Sequence, residues 1–259
     1  SIAIDPKGNP HISYYDATNG DLKYAMRGSS GWLTSVVDPA SAGDYSSIVV
    51  DAKYVVHISY FSWPGLDLKY AKGKPGAWAI SFVDFAGSVG WGSSLAVDKG
   101  GFAHIAYNDN GANTLRYATN AGGPWAVTVV DASGGVAVPT SIAVDMYGVV
   151  HIAYLSSGLR YAQKSAGVWT TESVDATIGF EEWFLSIEAD AAGSPVISYH
   201  DGLHDTLKLA RRETAGWNRI VIDPAGAGQW NSLAIDSAGR IRIAYFGGAD
   251  ADLRYALNY

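Results

Sequence analysis

One unit of about 46 residues repeats along the whole chain and limits the folds that the chain can adopt. The first copy reads SIAID, a Gly turn, HISYY, DLKYA, and then a Trp followed by VVD. The Asp that closes the first segment recurs 45 to 47 residues apart, at Asp5, Asp51, Asp98, Asp145, Asp190 and Asp236. A steady period over six copies is the signature of a repeat architecture. We therefore predict one domain over residues 1–259, with repeats starting near 1, 47, 94, 141, 186 and 232.

Each copy supplies four short apolar segments separated by turn residues, which predicts four antiparallel strands and no helix. Several strands are apolar on both faces, including SLAV at 94–97 and IRIAY at 241–245. A sheet with both faces buried must lie between other layers. The predicted fold is all-β, a six-bladed β-propeller of four-stranded antiparallel blades with about 46 residues per repeat. A linear solenoid is the alternative.

The first two strands of the repeat resemble those of a known propeller family. The pattern SIAID-x-x-G-x-x-HISYY-D is similar to the NHL-type propeller repeat, and more loosely to the Asp-box turns of sialidase and fucose-lectin propellers. An Asp-box has Ser-x-Asp-x-Gly closely followed by Trp, whereas this turn is Asp-x-x-Gly and the Trp lies at least one strand away. The resemblance implies a propeller fold and says little about the ligand.

The sixth repeat ends before its fourth strand. Repeats one to five each carry the fourth segment, which begins at Trp32, Trp78, Trp125, Trp169 and Trp217. We expect that a segment preceding Ser1 completes the sixth blade. The alternative is a sixth blade of three strands with an open edge.

Composition excludes several classes of partner. The formal net charge is -7 and no run of basic residues occurs, which argues against binding to nucleic acid. Apolar runs of four to six residues are too short for a membrane-spanning helix, so no membrane insertion is expected. The chain has no Cys. Its 9 Trp and 16 Tyr suggest an extracellular or cell-surface location.

Residues that recur in every blade are best explained as scaffold. The closing Asp of the first strand is expected to accept hydrogen bonds from turn amides. Lys or Arg recurs in the third strand, where ion pairs or cation–π contacts between blades are expected. His recurs at one position of the second strand, in the first four copies: His11, His57, His104 and His151. Equivalent positions in different blades lie too far apart to share one metal ion, so we predict no metal site and no cofactor. A structural Ca²⁺ ion has no motif to support it.

Loops on one predicted face keep a constant length in all copies, whereas those on the other face vary. Because variable loops on a rigid scaffold often carry function, the second face is predicted to hold the site. There the long loop 176–185, with Glu181, Glu182 and Trp183, lies beside the short loop 155–158, which predicts a notch with loop 200–205 across it. The neighbouring loop 200–205 contributes His200 and His204.

Aromatic residues mark the same face. Tyr45, Trp91, Trp183 and Trp230 precede first strands, and Trp63 lies in a loop between the second and third strands. Such rings beside Asp and Asn side chains, including Asp109, suit a sugar that stacks on a ring and hydrogen-bonds through its hydroxyls. The alternative is that these rings fill the central channel.

Three functions remain open on these patterns. The favoured hypothesis is a non-catalytic extracellular binding module that recognises a glycan or a polypeptide through its aromatic face. The second is a structural or assembly domain of a larger surface protein. The third is a glycoside hydrolase or lyase between blades four and five, which requires two carboxylates facing each other. No Ser-His-Asp spacing, nucleotide-binding loop or HExxH motif supports an enzyme.

Overall fold

The computed structural model describes residues 1–39, 42–179, 184–224, 226–248 and 251–257. Within these ranges the chain forms β-strands and turns, ordered as six antiparallel sheets that follow one another in sequence. Each sheet corresponds to one repeat and is one blade of a six-bladed β-propeller, so the predicted fold class is confirmed. No helix in the described part of the chain could span a membrane.

The chain divides into two compact units at the boundary between the third and fourth repeats. The first unit, Ser1–Ala132, contains sheets one to three. Its strands are β1 Ile2–Ile4, β2 Pro10–Asp16, β3 Asp21–Gly28, β4 Gly31–Asp38, β5 Ala42–Val50, β6 Val56–Ser62, β7 Asp67–Lys74, β8 Ala77–Asp84, β9 Val89–Val97, β10 Ala103–Asp109, β11 Thr114–Thr119 and β12 Ala126–Asp131.

The second unit, Ser133–Tyr259, contains sheets four to six. Its strands are β13 Ala137–Val144, β14 Val150–Leu155, β15 Leu159–Ser165, β16 Val168–Asp175, β17 Leu185–Ala189, β18 Pro195–Asp201, β19 Thr206–Glu213, β20 Gly216–Asp223, β21 Ala227–Ile235, β22 Ile241–Gly247 and β23 Asp252–Leu257. Sheets four and five have four strands each, and the described strands of sheet six number three.

The recurring Asp closes the turn between the first two strands of each sheet, as predicted. In sheet two, Asp51 Oδ1 accepts hydrogen bonds of 2.8 Å from the amides of Lys53 and Val55. Burial alone would raise the pKa of Asp51, but these amides and His57 outweigh it and lower the pKa. The turn therefore holds an ionised carboxylate that belongs to the scaffold.

The recurring His is also a scaffold residue. In sheet two the buried His57 has its Nδ1 2.5 Å from the Tyr70 hydroxyl and its Nε2 3.4 Å from Asp51 Oδ2. Burial lowers the pKa of His57, which favours the neutral ring. The other three His pair in the same way with a Tyr of their own sheet: His11 with Tyr24, His104 with Tyr117 and His151 with Tyr161. Among the described residues, no group of three or more acidic and His side chains could hold a metal ion.

An ionic contact, here named the outer-strand latch, joins neighbouring sheets. Asp84, at the end of β8 in sheet two, accepts hydrogen bonds from the Tyr107 hydroxyl at 2.7 Å and Arg116 Nη1 at 2.8 Å, both in sheet three. Three further carboxylates make the same contacts: Asp38 with Tyr60 and Lys69, Asp175 with Tyr199 and Lys208, and Asp223 with Tyr245 and Arg254. The ion pairs predicted between blades are confirmed.

Within each unit the core lies between consecutive sheets, and one face of β23, the last described strand of sheet six, is the exception. Leu68 of β7 is fully buried, and its Cα would lie 2.9 Å from a Cβ added to Gly90, a close approach that requires glycine. The Leu at this repeat position is 0% exposed in sheets one to five, whereas Leu253 of β23 is 84% exposed. Strand β23 thus presents core-type side chains to solvent.

Candidate functional site

Four rings of sheets two and three form the aromatic platform: Tyr45, Phe61, Trp63 and Trp91. The ring centroids of Phe61 and Trp91 are 4.9 Å apart, and those of Trp63 and Trp91 are 5.6 Å apart. Tyr45 lies 5.5 Å from Trp91 on its other side. These tilted and edge-to-face arrangements are favoured for aromatic pairs, so the rings support one another in fixed positions.

The platform is only partly buried. Of its rings, Phe61 is fully buried, whereas Tyr45 and Trp63 are 45% and 44% exposed. Two indole N–H groups are held by polar neighbours: Trp63 Nε1 donates to Asp44, and Trp91 Nε1 donates to Ser88 Oγ at 2.9 Å. Of the rings predicted to form a site, the structure brings Tyr45, Trp63 and Trp91 together, with a carboxylate at their edge.

A β-bulge places the Tyr45 ring on this surface. The register between β5 and β6 shifts at Asp44 and again before Ser47, and Tyr45 has φ of 51°. The equivalent positions, Gly92 in β9 and Trp230 in β21, have φ of 56° and 48°. A left-handed conformation at a bulky residue costs about 1–2 kcal/mol and is concentrated at functional positions. Tyr45 and Trp230 therefore occupy positions where glycine would be less strained.

The second unit has a smaller aromatic cluster. Trp230 is 63% exposed, and its ring lies 4.9 Å from Phe184 and 5.4 Å from Phe246. The buried Asn231 fixes the bulge by donating to the carbonyl oxygens of Phe184 and Gly228. Among the predicted site residues, Glu181, Glu182 and Trp183 lie outside the described residues.

Three further predicted residues lie in hairpins between a second and a third strand, Asp109 in sheet three and His200 and His204 in sheet five. Asp109 is buried and binds the guanidinium of Arg116 and the amides of Gly111 and Ala112. The Nε2 atom of the buried His200 lies 3.0 Å from Asp205. His204 has an exposed ring whose Nδ1 lies 2.8 Å from Asp201 Oδ2. These contacts give Asp109 and His200 structural roles and leave the His204 ring facing solvent.

The predicted notch between sheets four and five is narrowed by backbone packing. A Cβ added to Gly179, in the loop that follows β16, would lie 2.5 Å from the Leu203 amide nitrogen. The described part of this loop therefore rests directly on the hairpin between β18 and β19. Glycine is required at this contact because any side chain would overlap the backbone.

A second surface, not predicted from the sequence, is named the polar groove: Glu172, Arg212, Trp217 and Arg219, between the outer strands of sheets four and five. It is an open groove with a volume of about 380 Å³. Trp217 Nε1 donates to Glu172 Oε1 at 3.0 Å, and the Arg212 guanidinium lies 5.9 Å from the Trp217 ring centroid. The one feature of the sequence that could have indicated this groove is Glu172, because the other copies have Ser35, Ser81, Thr128 and Ile220 at the same repeat position.

Glu188 of β17 is a carboxylate on an otherwise small and apolar repeat position, occupied by Ala3, Val49, Ala96, Ala143 and Ala234. Burial raises its pKa to about 7. Because the folded-state pKa is raised, burial of Glu188 does not lower the free energy of unfolding at pH values below the unfolded-state pKa. The loss is complete once the pH has risen through 7. We expect Glu188→Ala to raise the free energy of unfolding by about 2 kcal/mol at pH 8 and hardly at pH 4.5.

Urea unfolding at the two pH values measures this difference. Glu213→Ala, which removes an exposed carboxylate from the same unit, is the control and should show no such pH dependence. An equal change at both pH values in Glu188→Ala would show that the carboxylate carries no burial penalty.

In its fold this chain is a six-bladed β-propeller whose structural neighbours include fucose-binding lectins. It is similar to AofleA from Arthrobotrys oligospora, with 17% identity, a TM-score of 0.67, and coverage of 99% of this chain and 82% of that one. It is also similar to a mutant of the Aleuria aurantia lectin in complex with Fucα1-6GlcNAc, with 12% identity, a TM-score of 0.62, and coverage of 99% and 91%.

A third neighbour is a mutant of NanB sialidase from Streptococcus pneumoniae, with 9% identity, a TM-score of 0.62, and coverage of 96% of this chain and 64% of that one. No protein-family model matches the sequence, and no curated protein matches it significantly. The looser resemblance to lectin propellers is confirmed at the level of fold, and the NHL-type resemblance stays a prediction.

Proposed function

We propose that this protein is a glycan-binding module of the cell surface or extracellular space, and that the aromatic platform is its binding site. The observation that carries the proposal is the pair of half-exposed rings, Tyr45 and Trp63, held rigidly beside the Asp44 carboxylate. A sugar can place its C–H face on such a ring, while a carboxylate accepts hydrogen bonds from its hydroxyls. The strained φ of Tyr45 supports a binding role, because scaffold alone would favour glycine there.

The polar groove is a second candidate site for the same function. It combines an indole, a carboxylate and two guanidinium groups around a space of about 380 Å³, which lies within the range of small-ligand pockets. Among the described residues, the hydrogen bonds of Arg219 are long, 3.3 Å to the Val174 carbonyl oxygen and 3.5 Å to Asp175 Oδ1, so its donors can turn toward a ligand. Sugar hydroxyls would donate to Glu172 and accept from the arginines.

Titration calorimetry with methyl α-L-fucoside, chosen because fucose lectins share the fold, and a glycan array for other sugars test the proposal. We expect Trp63→Ala to weaken binding of the recognised sugar about tenfold, through the lost stacking. Trp32→Ala removes a ring of similar exposure, 48%, from β4 outside the platform and should bind normally.

Glu172→Gln distinguishes the two sites. Loss of binding in this variant with normal binding in Trp63→Ala would move the site to the polar groove and keep the proposed function. Absence of binding to every glycan on the array by the wild-type protein would overturn it. The structural or assembly role, the polypeptide partner and the hydrolase would then be the remaining hypotheses.

A further inference from the structure

A cavity of about 260 Å³ lies in the first unit, between the turn after β5 and the turn after β9. Val49, Val50 and Val97 form its apolar floor, and Lys53 and Lys99 stand at its edge. The aromatic platform occupies the opposite ends of β5 and β9, whose residues rise about 3.3 Å each. The cavity is therefore separate from the site proposed above, and the inference does not depend on the proposed function.

The neighbouring gap in the same unit shows what this cavity lacks. Between the turns of sheets one and two lies the ring of Tyr54, which is 39% exposed, and Lys7 Nζ lies 5.3 Å from its centre. Between sheets two and three, Gly101 stands at the position of Tyr54, and Lys53 stands at the position of Lys7. Among the described residues that line the cavity, there is thus a lysine at the position of the cation–π donor and no aromatic ring.

In the second unit, an aromatic ring also lies at the gap between sheets four and five. There the ring of Tyr147, from the turn after β13, lies against Gly193 of the next sheet, 3.2 Å from the position that a Cβ would occupy. In that pair of sheets the ring comes from the first turn rather than the second. Two different residues therefore place a partly exposed ring at this kind of gap, Tyr54 at 39% and Tyr147 at 68% exposure, whereas the turns of sheets five and six have Ala192 and Gly239 at these positions. A gap between these turns can thus accept one ring.

The charged groups of the cavity indicate whether its ligand carries a charge. The carboxylates of Asp51 and Asp98 are each committed to two backbone amides and to the imidazole of their own sheet. Lys53 is exposed beside them, and a lysine ammonium attracts both an aromatic face and an anion. We propose that this cavity binds a single aromatic ring that carries a carboxylate, with the ring on the valine floor and the carboxylate at Lys53.

Two sources offer this chemistry, a free aromatic acid and the C-terminal Tyr or Phe of a polypeptide. At about 260 Å³ the cavity is slightly smaller than usual small-ligand pockets, which begin at about 300 Å³, so it admits one ring rather than an extended chain. Titration calorimetry with 4-hydroxyphenylacetate and with the peptide Gly-Gly-Tyr tests both sources. Gly-Gly-Tyr amide, which has the same ring and no terminal carboxylate, is the control ligand.

Gly101→Tyr tests the site by filling it. An added Cβ would meet only Asp51 Oδ2, at 3.5 Å, and Tyr54 already adopts φ of 61° at the equivalent position, so the variant should fold. We expect binding of both acids to fall more than about tenfold, because the new ring takes the same space. A single cooperative thermal transition, with a midpoint lowered by the strain of the left-handed backbone, verifies that the variant is folded.

Lys53→Met keeps the length of the side chain and removes its charge. We expect the Kd of both acids to rise about fivefold in this variant. The control Lys7→Met, at the gap that holds Tyr54, should leave both Kd values unchanged. Binding of the free acid identifies a small-molecule site, and binding of the peptide acid alone identifies a polypeptide terminus. The inference is overturned if the wild-type protein binds neither acid, or if Gly101→Tyr binds them as well as the wild type.

Discussion

Replacement of Asp84 by Ala is expected to lower the free energy of unfolding by about 3 kcal/mol. The Asp84 side chain is 7% exposed and receives both the Tyr107 hydroxyl and Arg116. Its loss leaves a buried hydroxyl unpaired and removes one of the two carboxylates that bind Arg116, the other being Asp109. The cost is dominated by the groups left behind, because a buried donor without an acceptor keeps its full desolvation penalty.

Urea unfolding at pH 7 measures this loss. Asp252→Ala, which removes an exposed carboxylate at the start of β23, is the control and should stay within about 0.5 kcal/mol of the wild type. Replacing Tyr107 by Phe together with Asp84→Ala should recover part of the loss, since the stranded hydroxyl is then absent. A single Asp84→Ala variant as stable as the wild type would show that the latch adds nothing.

Two leucines at one repeat position are expected to respond very differently to truncation. Leu68→Ala should cost about 3 kcal/mol, because Leu68 is fully buried against the close-packed Gly90 and its removal leaves a cavity. Leu253→Ala should change stability by less than about 0.5 kcal/mol, because Leu253 is 84% exposed on β23.

The two variants control for each other, because the sequences around Leu68 and Leu253 are similar. They differ in whether other residues pack over the leucine of the third strand. Chemical unfolding of both variants at one protein concentration gives the comparison. Equal losses would contradict the exposure of β23. A loss in Leu253→Ala that grows with protein concentration would show that another copy of the chain covers this strand.

The repeat period was enough to predict the fold, because the same pattern of strands and turns recurs in all six copies. The scaffold roles of Asp51, His57 and Arg116 followed for the same reason, since a residue present in most copies is explained by what the copies share. These predictions depend on local sequence and on neighbouring repeats, which the chain order fixes.

The candidate site was predicted only in part. The alternation of side chains along a strand is broken by the bulges at Tyr45 and Trp230, so the direction of these rings could not be read from residue spacing. The polar groove joins Glu172 to Arg212 and Trp217, about one repeat apart in sequence. Only the departure of Glu172 from the repeat pattern indicated it, and that departure carries no information on partners.

The outer-strand latch also bears on how the chain folds. A single repeat that formed its sheet alone would hold its outer-strand carboxylate without the Tyr and the cation that the following sheet provides, as Asp38 depends on Tyr60 and Lys69. Each sheet is therefore more stable beside its successor than in isolation, which is the condition for cooperative folding of repeat arrays. Within each unit, partly folded species with one detached sheet should be sparsely populated during unfolding.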